Sequence, residues 1–231
     1  VTGAVSAEVL VARRLFRFFR ASGEETLAVA GVSLTVRAGE RVAVAGPSGS
    51  GKSTLLSLLA GLDEPDGGTV RVAGHPVSHR PEEERARIRA TSIGMLYQYG
   101  NLLDHLTVAQ NLRFAHGLAG HRTRFDLAER LEAVGAGGLA DVLPAALSGG
   151  QAARAGLAVA LVNDPPLLIA DEPTAELDAD AEQQILDLLA AQAAAGTAIV
   201  LASHSPRVLA VCDRVIRLRD GQIVADGQVP G

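Results

Sequence analysis

Of the 21 lysine and arginine residues in the chain, one alone is lysine, Lys52. It sits in the run AVAGPSGSGKSTLLSLLAGL, residues 43–62. Gly46 to Ser53 reads G-x-x-x-x-G-K-S, with an apolar strand before it and a helix pattern after it, the context a phosphate-binding loop requires. Glycine lets the backbone curl until its N–H groups point inward at phosphate oxygens. The helix that follows adds the partial positive charge of its N-terminus. A compact ammonium on a slim stem can enter such a cradle beside the β- and γ-phosphates, whereas a planar guanidinium needs more room. The shape of the charge explains why position 52 departs from the arginine used everywhere else. Ser53 offers a hydroxyl to Mg²⁺.

A second group of reactive residues is acidic. PLLIADEPTAELD places Asp171 and Glu172 directly after an apolar run. A buried parallel strand ending in acids delivers carboxylates to the C-terminal edge of a sheet, where open α/β folds bind ligands. Neighbouring residues of an extended chain point in different directions. Asp171 is therefore expected to reach Mg²⁺ while Glu172 faces an attacking water. A third feature is LSGGQ, residues 147–151. Ser148, Gly149 and Gly150 offer N–H groups and a hydroxyl at the positive end of an expected helix, a second anion site. A second such site makes sense if it completes the phosphate site of another copy.

These groups must be carried by elements the periodicity predicts. EVLVARRLF and GVSLTV read as strands around a loop, RASGEETLAVA, and GERVAVAG as a buried strand. KSTLLSLLAGL reads as a helix, GGTVRVAGHPV as strand and turn, and TSIGMLYQ as a strand. PEEERARIRA has proline first, then acids, then bases, the polarity a helix dipole favours. A helical block follows from about 100 to 163. PLLIADE and TAIVLASH are strands on either side of an amphipathic helix, DADAEQQILDLLAAQAAAG, and RVIRLRDGQIVADG is an edge hairpin. Strand–helix alternation at both ends predicts an α/β fold around a parallel sheet with an inserted helical part.

Bulk composition narrows the function. With 231 residues the chain is read as one domain. Aromatic residues make up 3% and tryptophan is absent, so the core must be Ala, Val, Leu and Ile. The net charge of −5 argues against a nucleic-acid surface. A lone cysteine, Cys212, excludes an internal disulfide and fits a reducing compartment. No run of about 18 apolar residues suggests a membrane-spanning helix, and no secretory signal pattern is expected.

Taken in order, GPSGSGKST, YQ, LSGGQ, LLIADEPT, ELD and SH resemble the nucleotide-binding subunit of ABC transporters over nearly the whole chain. GLDEPDGGTVRVAG, YQYGNLLDHLTVAQNL and ALVNDPPLLIADEPTAELD look most like its lipoprotein-release, macrolide-efflux and cell-division branch (LolD, MacB and FtsE). The resemblance implies a P-loop NTPase core of RecA type, an N-terminal antiparallel β subdomain, and a helical subdomain. It assigns 1–98 and 164–231 to the core with its β subdomain and 99–163 to the helical subdomain carrying the signature. It implies ATP and Mg²⁺ as ligands and catalytic roles for Glu172, His204, Lys52 and Gln98. Nucleotide binding would fall to Phe19, stacking on adenine, and to Gly46, Ser48, Gly49, Gly51, Lys52, Ser53 and Thr54. A second copy would add Ser148, Gly149, Gly150, Gln151 and the D-loop residue Asp178. Ser53, Gln98 and Asp171 would hold the metal.

The implied partners are a second ATPase subunit, as a homodimer, and an integral membrane permease, with no nucleic acid. The implied location is peripheral, on the cytoplasmic face of a bacterial cell membrane. An alternative use of the same engine is a signalling complex that regulates cell-wall hydrolases. The chain departs from the family pattern at Ser205, where aspartate is usual, at Val159 for a common arginine, and at Gln110 for a frequent glutamate.

Overall fold

The computed structural model describes residues 7–21, 24–120 and 125–229. In chain order the first half contains β1 (Glu8–Ala21), β2 (Glu24–Arg37), β3 (Arg41–Ala45), α1 (Lys52–Leu59), β4 (Gly67–Val72), β5 (His75–Pro76), α2 (Glu82–Ser92) and β6 (Ile93–Leu96). The second half contains α3 (Val108–Leu118), α4 (Leu127–Glu132), α5 (Gly149–Leu161), β7 (Leu167–Asp171), α6 (Ala179–Ala194), β8 (Ala198–Ala202), α7 (Pro206–Ala210), β9 (Arg214–Arg219) and β10 (Gln222–Gln228). One sheet is antiparallel, in the order β2-β1-β4-β5. The other has the order β10-β9-β3-β8-β7-β6, parallel from β9 to β6, with β10 turned back on its edge.

Alternation along the parallel strands fixes two cores. Val42, Val44, Leu167, Ile169, Val200 and Ala202 face α1 and the antiparallel sheet. Ala43, Leu168, Ala170, Ile199 and Leu201 face α3, α5, α6 and α7. A parallel sheet covered on both faces is what near-continuous apolar runs encode. Among the described residues no aromatic ring enters the fully buried core, which is aliphatic as the composition requires. The expected macrodipole polarity appears in α2, with Glu82, Glu83 and Glu84 in its first turn and Arg89 in its last.

Three boundaries differ from the sequence reading. Most of the expected loop at 20–30 is strand. Phe18 pairs with Leu27 and Phe19 with Thr26, so β1 and β2 run on to Ala21 and Glu24, and residues 22 and 23 lie outside the described set. Charged residues at the end of the hairpin masked its alternation. Thr91 and Ser92 close α2 rather than opening β6, and the Thr91 hydroxyl bonds back to the Arg87 carbonyl at 3.0 Å. Within the helical block expected from about 100 to 163, only Leu127–Glu132 of residues 125–138 is α-helical.

Cys212 is buried, and its thiol donates to the Val208 carbonyl at 3.3 Å. Burial pushes that thiol up to about 11. Ellman's reagent at pH 8 is expected to find no reactive thiol in the native protein within minutes and one after denaturation. Fast native labelling would contradict this placement.

Candidate active site

The loop of Gly46 to Lys52 joins the C-terminal end of β3 to α1. Its glycines are there for distinct reasons. Gly51 has φ 98°, and a Cβ there would collide with the Ala28 carbonyl of β2. A Cβ on Gly46 would collide with the Leu218 carbonyl of β9. Both are close backbone approaches that only glycine permits. The turn is further braced by the Gly221 N–H on the Ser50 carbonyl at 3.1 Å. No side chain caps α1, so its first N–H groups are not taken up by a capping residue. Lys52 arches back, its ammonium donating to the carbonyls of Gly46 at 2.9 Å and Pro47 at 3.1 Å. Ser53 and Thr54 follow on the first turn.

β7 and β8 deliver the acids and the histidine to the same sheet edge. Asp171 ends β7. Glu172 then takes a left-handed conformation, φ 48°, and its N–H bonds to the Ala202 carbonyl at 3.0 Å. A non-glycine residue in this region is strained, and such strain concentrates at functional sites. The turn aims the Glu172 carboxylate at His204: Nδ1 lies 2.9 Å from Oε1. A carboxylate can only accept, so Nδ1 carries the hydrogen. The Glu172 side chain is 18% exposed and that of His204 is 74% exposed. The pairing presents a shielded carboxylate beside an imidazole whose Nε2 is free to face a ligand.

Gln98 lies just beyond β6. It lines one cleft with Glu172, Glu176 and Tyr99. Its Nε2 donates to Glu176 Oε1 and to the Tyr99 hydroxyl, both at 3.3 Å. Asn101 holds this loop by accepting the Tyr97 N–H at 2.7 Å and donating to the Tyr97 carbonyl at 2.6 Å. Burial raises the Tyr97 phenol, and the nearby Asp171 charge adds to that shift.

Ser148 caps α5 and Gln151 answers it. The Gln151 N–H reaches Ser148 Oγ at 3.3 Å and the Ser148 N–H reaches Gln151 Oε1 at 2.9 Å. This reciprocal capping box gives Gln151 a structural task and leaves the Ser148 hydroxyl hydrogen to donate elsewhere. Asp178 caps α6 through Ala181 N–H at 2.8 Å and Asp180 N–H at 3.1 Å. Ser148, Gly149, Gly150 and Asp178 share a surface pocket that no residue of the phosphate loop lines. Within one copy the sheet order brings Lys52, Asp171, Glu172 and His204 to one edge; Ser148, Gly150 and Asp178 lie in a pocket without the phosphate loop, and Gly149 also lines the cleft of Gln98 and Glu172. Phe19 stands on β1, 43% exposed.

Sequence reasoning missed the Glu172–His204 contact, the Glu176 partner of Gln98, and Glu182. The last explains the departure at Ser205. The Ser205 hydroxyl donates to Glu182 Oε1 at 3.1 Å, Thr174 Oγ1 reaches the same oxygen at 3.3 Å, and Arg207 pairs with Oε2 at 3.1 Å. A carboxylate on α6 thus ties the histidine turn to the turn after β7. Nothing in the linear spacing signals it.

A metal at this site would be held by oxygen alone. Among the described residues no cluster of three or more His, Cys, Asp or Glu could form a protein cage. One carboxylate, Asp171, and one hydroxyl, Ser53, beside a phosphate cradle suit a hard ion that completes its shell with phosphate and water, as Mg²⁺ does.

A glycine cradle with a lysine after one central strand, and two acids after another, define a nucleotide-hydrolysing P-loop protein. The chain matches the ABC transporter family over residues 29–175 and belongs to that family. It is 43% identical to the lipoprotein-releasing system ATP-binding protein LolD of Anaeromyxobacter dehalogenans over 202 residues, covering 85% of this chain and 84% of that protein. It is 40% identical to the uncharacterized ABC transporter ATP-binding protein YknY of Bacillus subtilis, covering 87% of this chain and 90% of that protein. It is 39% identical to the macrolide export ATP-binding/permease protein MacB of Hyphomonas neptunium, covering 91% of this chain but 33% of that protein. A dimeric post-hydrolysis structure of the cassette MJ0796 bound to ADP and Pi superposes with a TM-score of 0.88 at 30% identity, over 96% of this chain and 99% of that one. The chain is accordingly an ATP-binding, ATP-hydrolysing cassette, and no helix among its described residues is long and apolar enough to cross a membrane.

Proposed function

We propose that the chain is the subunit that powers a membrane permease from the cytoplasmic face of a bacterial cell membrane. Its cycle would be ATP-driven pairing of two copies followed by hydrolysis. The observation that carries this reading is that Ser148, Gly150 and Asp178 line a pocket to which no residue of the phosphate loop contributes. Head-to-tail pairing would place Ser148 and Gly150 of one copy against the nucleotide of the other, with Asp178 at the seam. The relatives named for lipoprotein release and macrolide export favour transport over cell-wall signalling.

In this reading the N–H groups of the loop after Pro47, Lys52 and the start of α1 grip the phosphates. Asp171, Ser53 and Gln98 would hold Mg²⁺, which would supply charge neutralisation for the phosphates. Gln98 would do so through its amide oxygen, since it is Nε2 that donates to Glu176 and Tyr99. Glu172 takes the proton of a water that attacks the γ-phosphorus, and the bond to the β-bridging oxygen breaks to leave ADP. His204 donates to Glu172 from Nδ1, so to donate to a γ-phosphate oxygen from Nε2 the ring must carry both protons.

Reconstitution with an integral membrane protein that co-purifies with the chain is the test. Phosphate release is expected to rise several-fold over the isolated cassette and to drive cargo flux across the vesicle. A co-purified membrane protein that changes neither turnover nor flux would refute the coupling.

A further inference from the structure

Near the end of the β1–β2 hairpin, charge is concentrated on one side chain. Arg17 donates from Nε to Asp63 Oδ2 at 2.8 Å and from Nη1 to Asp66 Oδ2 at 3.3 Å. Its guanidinium carbon stands 4.9 Å from the centroid of the Phe19 ring. The two residues are i and i+2 on one strand and so share a face. Asp66 also accepts the Phe18 N–H at 2.8 Å and donates its own N–H to the Phe16 carbonyl at 2.9 Å. Both aspartates belong to the turn that leaves α1. The strand carrying Phe19 is thereby fastened to the helix that begins with Lys52.

An exposed phenylalanine ring alone would rotate through several rotamers. Here a guanidinium gripped by two carboxylates covers one face of the ring, an attractive arrangement between a cation and the negative π-face. Arg17 is only 23% exposed, whereas Phe19 keeps much of its surface open. We infer that Arg17 is a positioning and specificity residue for the nucleobase. It locks Phe19 with its second face presented to a purine, at a fixed offset from the phosphate loop. The inference rests on the reading of Phe19 as the base platform. A cation behind the ring draws π-density away from the open face, which suits an electron-rich purine more than the smaller face of a pyrimidine.

Calorimetry on the full chain with magnesium and three probes, ATP, CTP and inorganic tripolyphosphate, tests it. Phe19→Ala is expected to weaken ATP about tenfold, the usual scale for losing one base–aromatic stack, and to leave tripolyphosphate unchanged. Arg17→Gln is expected to weaken ATP about three- to fivefold, in the range of a surface cation–π contact. It should narrow the preference for ATP over CTP and leave tripolyphosphate unchanged. If Arg17→Gln weakens tripolyphosphate as much as ATP, Arg17 acts through the phosphate loop and the inference falls. It falls equally if Phe19→Ala weakens ATP and Arg17→Gln does not, with the platform reading intact. If Phe19→Ala leaves ATP binding unchanged, the platform reading itself is wrong and the Arg17 inference goes with it.

Discussion

Glu172→Gln is expected to lower ATP turnover by at least two orders of magnitude while ATP still binds and still pairs two copies. The substitution removes one property, the ability to accept a proton, and general-base catalysis is worth about 10²–10⁴ in rate. It preserves the rest. The glutamine amide oxygen can accept from His204 Nδ1 as Oε1 does now at 2.9 Å, and the main-chain bond to the Ala202 carbonyl is untouched. The left-handed φ of 48° costs glutamine about what it costs glutamate. Lys52, Asp171 and the signature are unaltered, so nucleotide should accumulate unhydrolysed in a paired form. Phosphate release measured beside size-exclusion chromatography in ATP and magnesium reads both halves. Turnover within a few-fold of wild type would remove Glu172 from the catalytic role. Full loss of binding would show the carboxylate to be a structural support for the turn after β7.

The parallel sheet and the phosphate loop were legible because both are local. A short apolar run bounded by proline and acids, such as Leu167 to Ala170, reads as a strand covered on both faces, and the structure buries those four residues completely. The glycine spacing around Lys52 encodes a backbone path with its own sterics, visible in the contacts Gly46 and Gly51 would make if they carried a Cβ. The capping box at Ser148 is equally local, since S-x-x-Q describes a pair of hydrogen bonds within four residues. What stayed hidden depends on long-range approach. Glu182 bridges residues 8 and 23 positions away, and Gln98 reaches Glu176 78 positions on. Arg17 finds Asp63 across 46. In each case one charged side chain among many was chosen by sheet order, which a single sequence states only indirectly. The far end of the β1–β2 hairpin was misread for a different reason. Charged residues such as Glu25 hid a strand whose pairing is set by the partner strand rather than by apolar alternation.

Lys52→Ala is expected to abolish the rise in melting temperature that ATP and magnesium produce. A ligand at 100 times its Kd stabilises the protein that binds it by about 2.7 kcal/mol, which for a domain of this size is a shift of about 5–10 °C. Alanine is the best helix former, so α1 itself should not suffer. The two carbonyls that Lys52 now satisfies, on Gly46 and Pro47, lie where the loop meets solvent and can turn to water. Without ligand the variant should therefore melt within a few degrees of wild type, since one net hydrogen bond is worth about 1 kcal/mol. What it loses is the compact charge between the phosphates. Lys52→Arg separates charge from shape: it keeps the cation and swaps a point charge for a wide fork. It should recover little of the ATP shift if shape is the reason this chain keeps its single lysine here. Equal ATP shifts in wild type and Lys52→Ala would refute a role for the ammonium in nucleotide binding. A full shift in Lys52→Arg would keep the charge but discard the argument from shape.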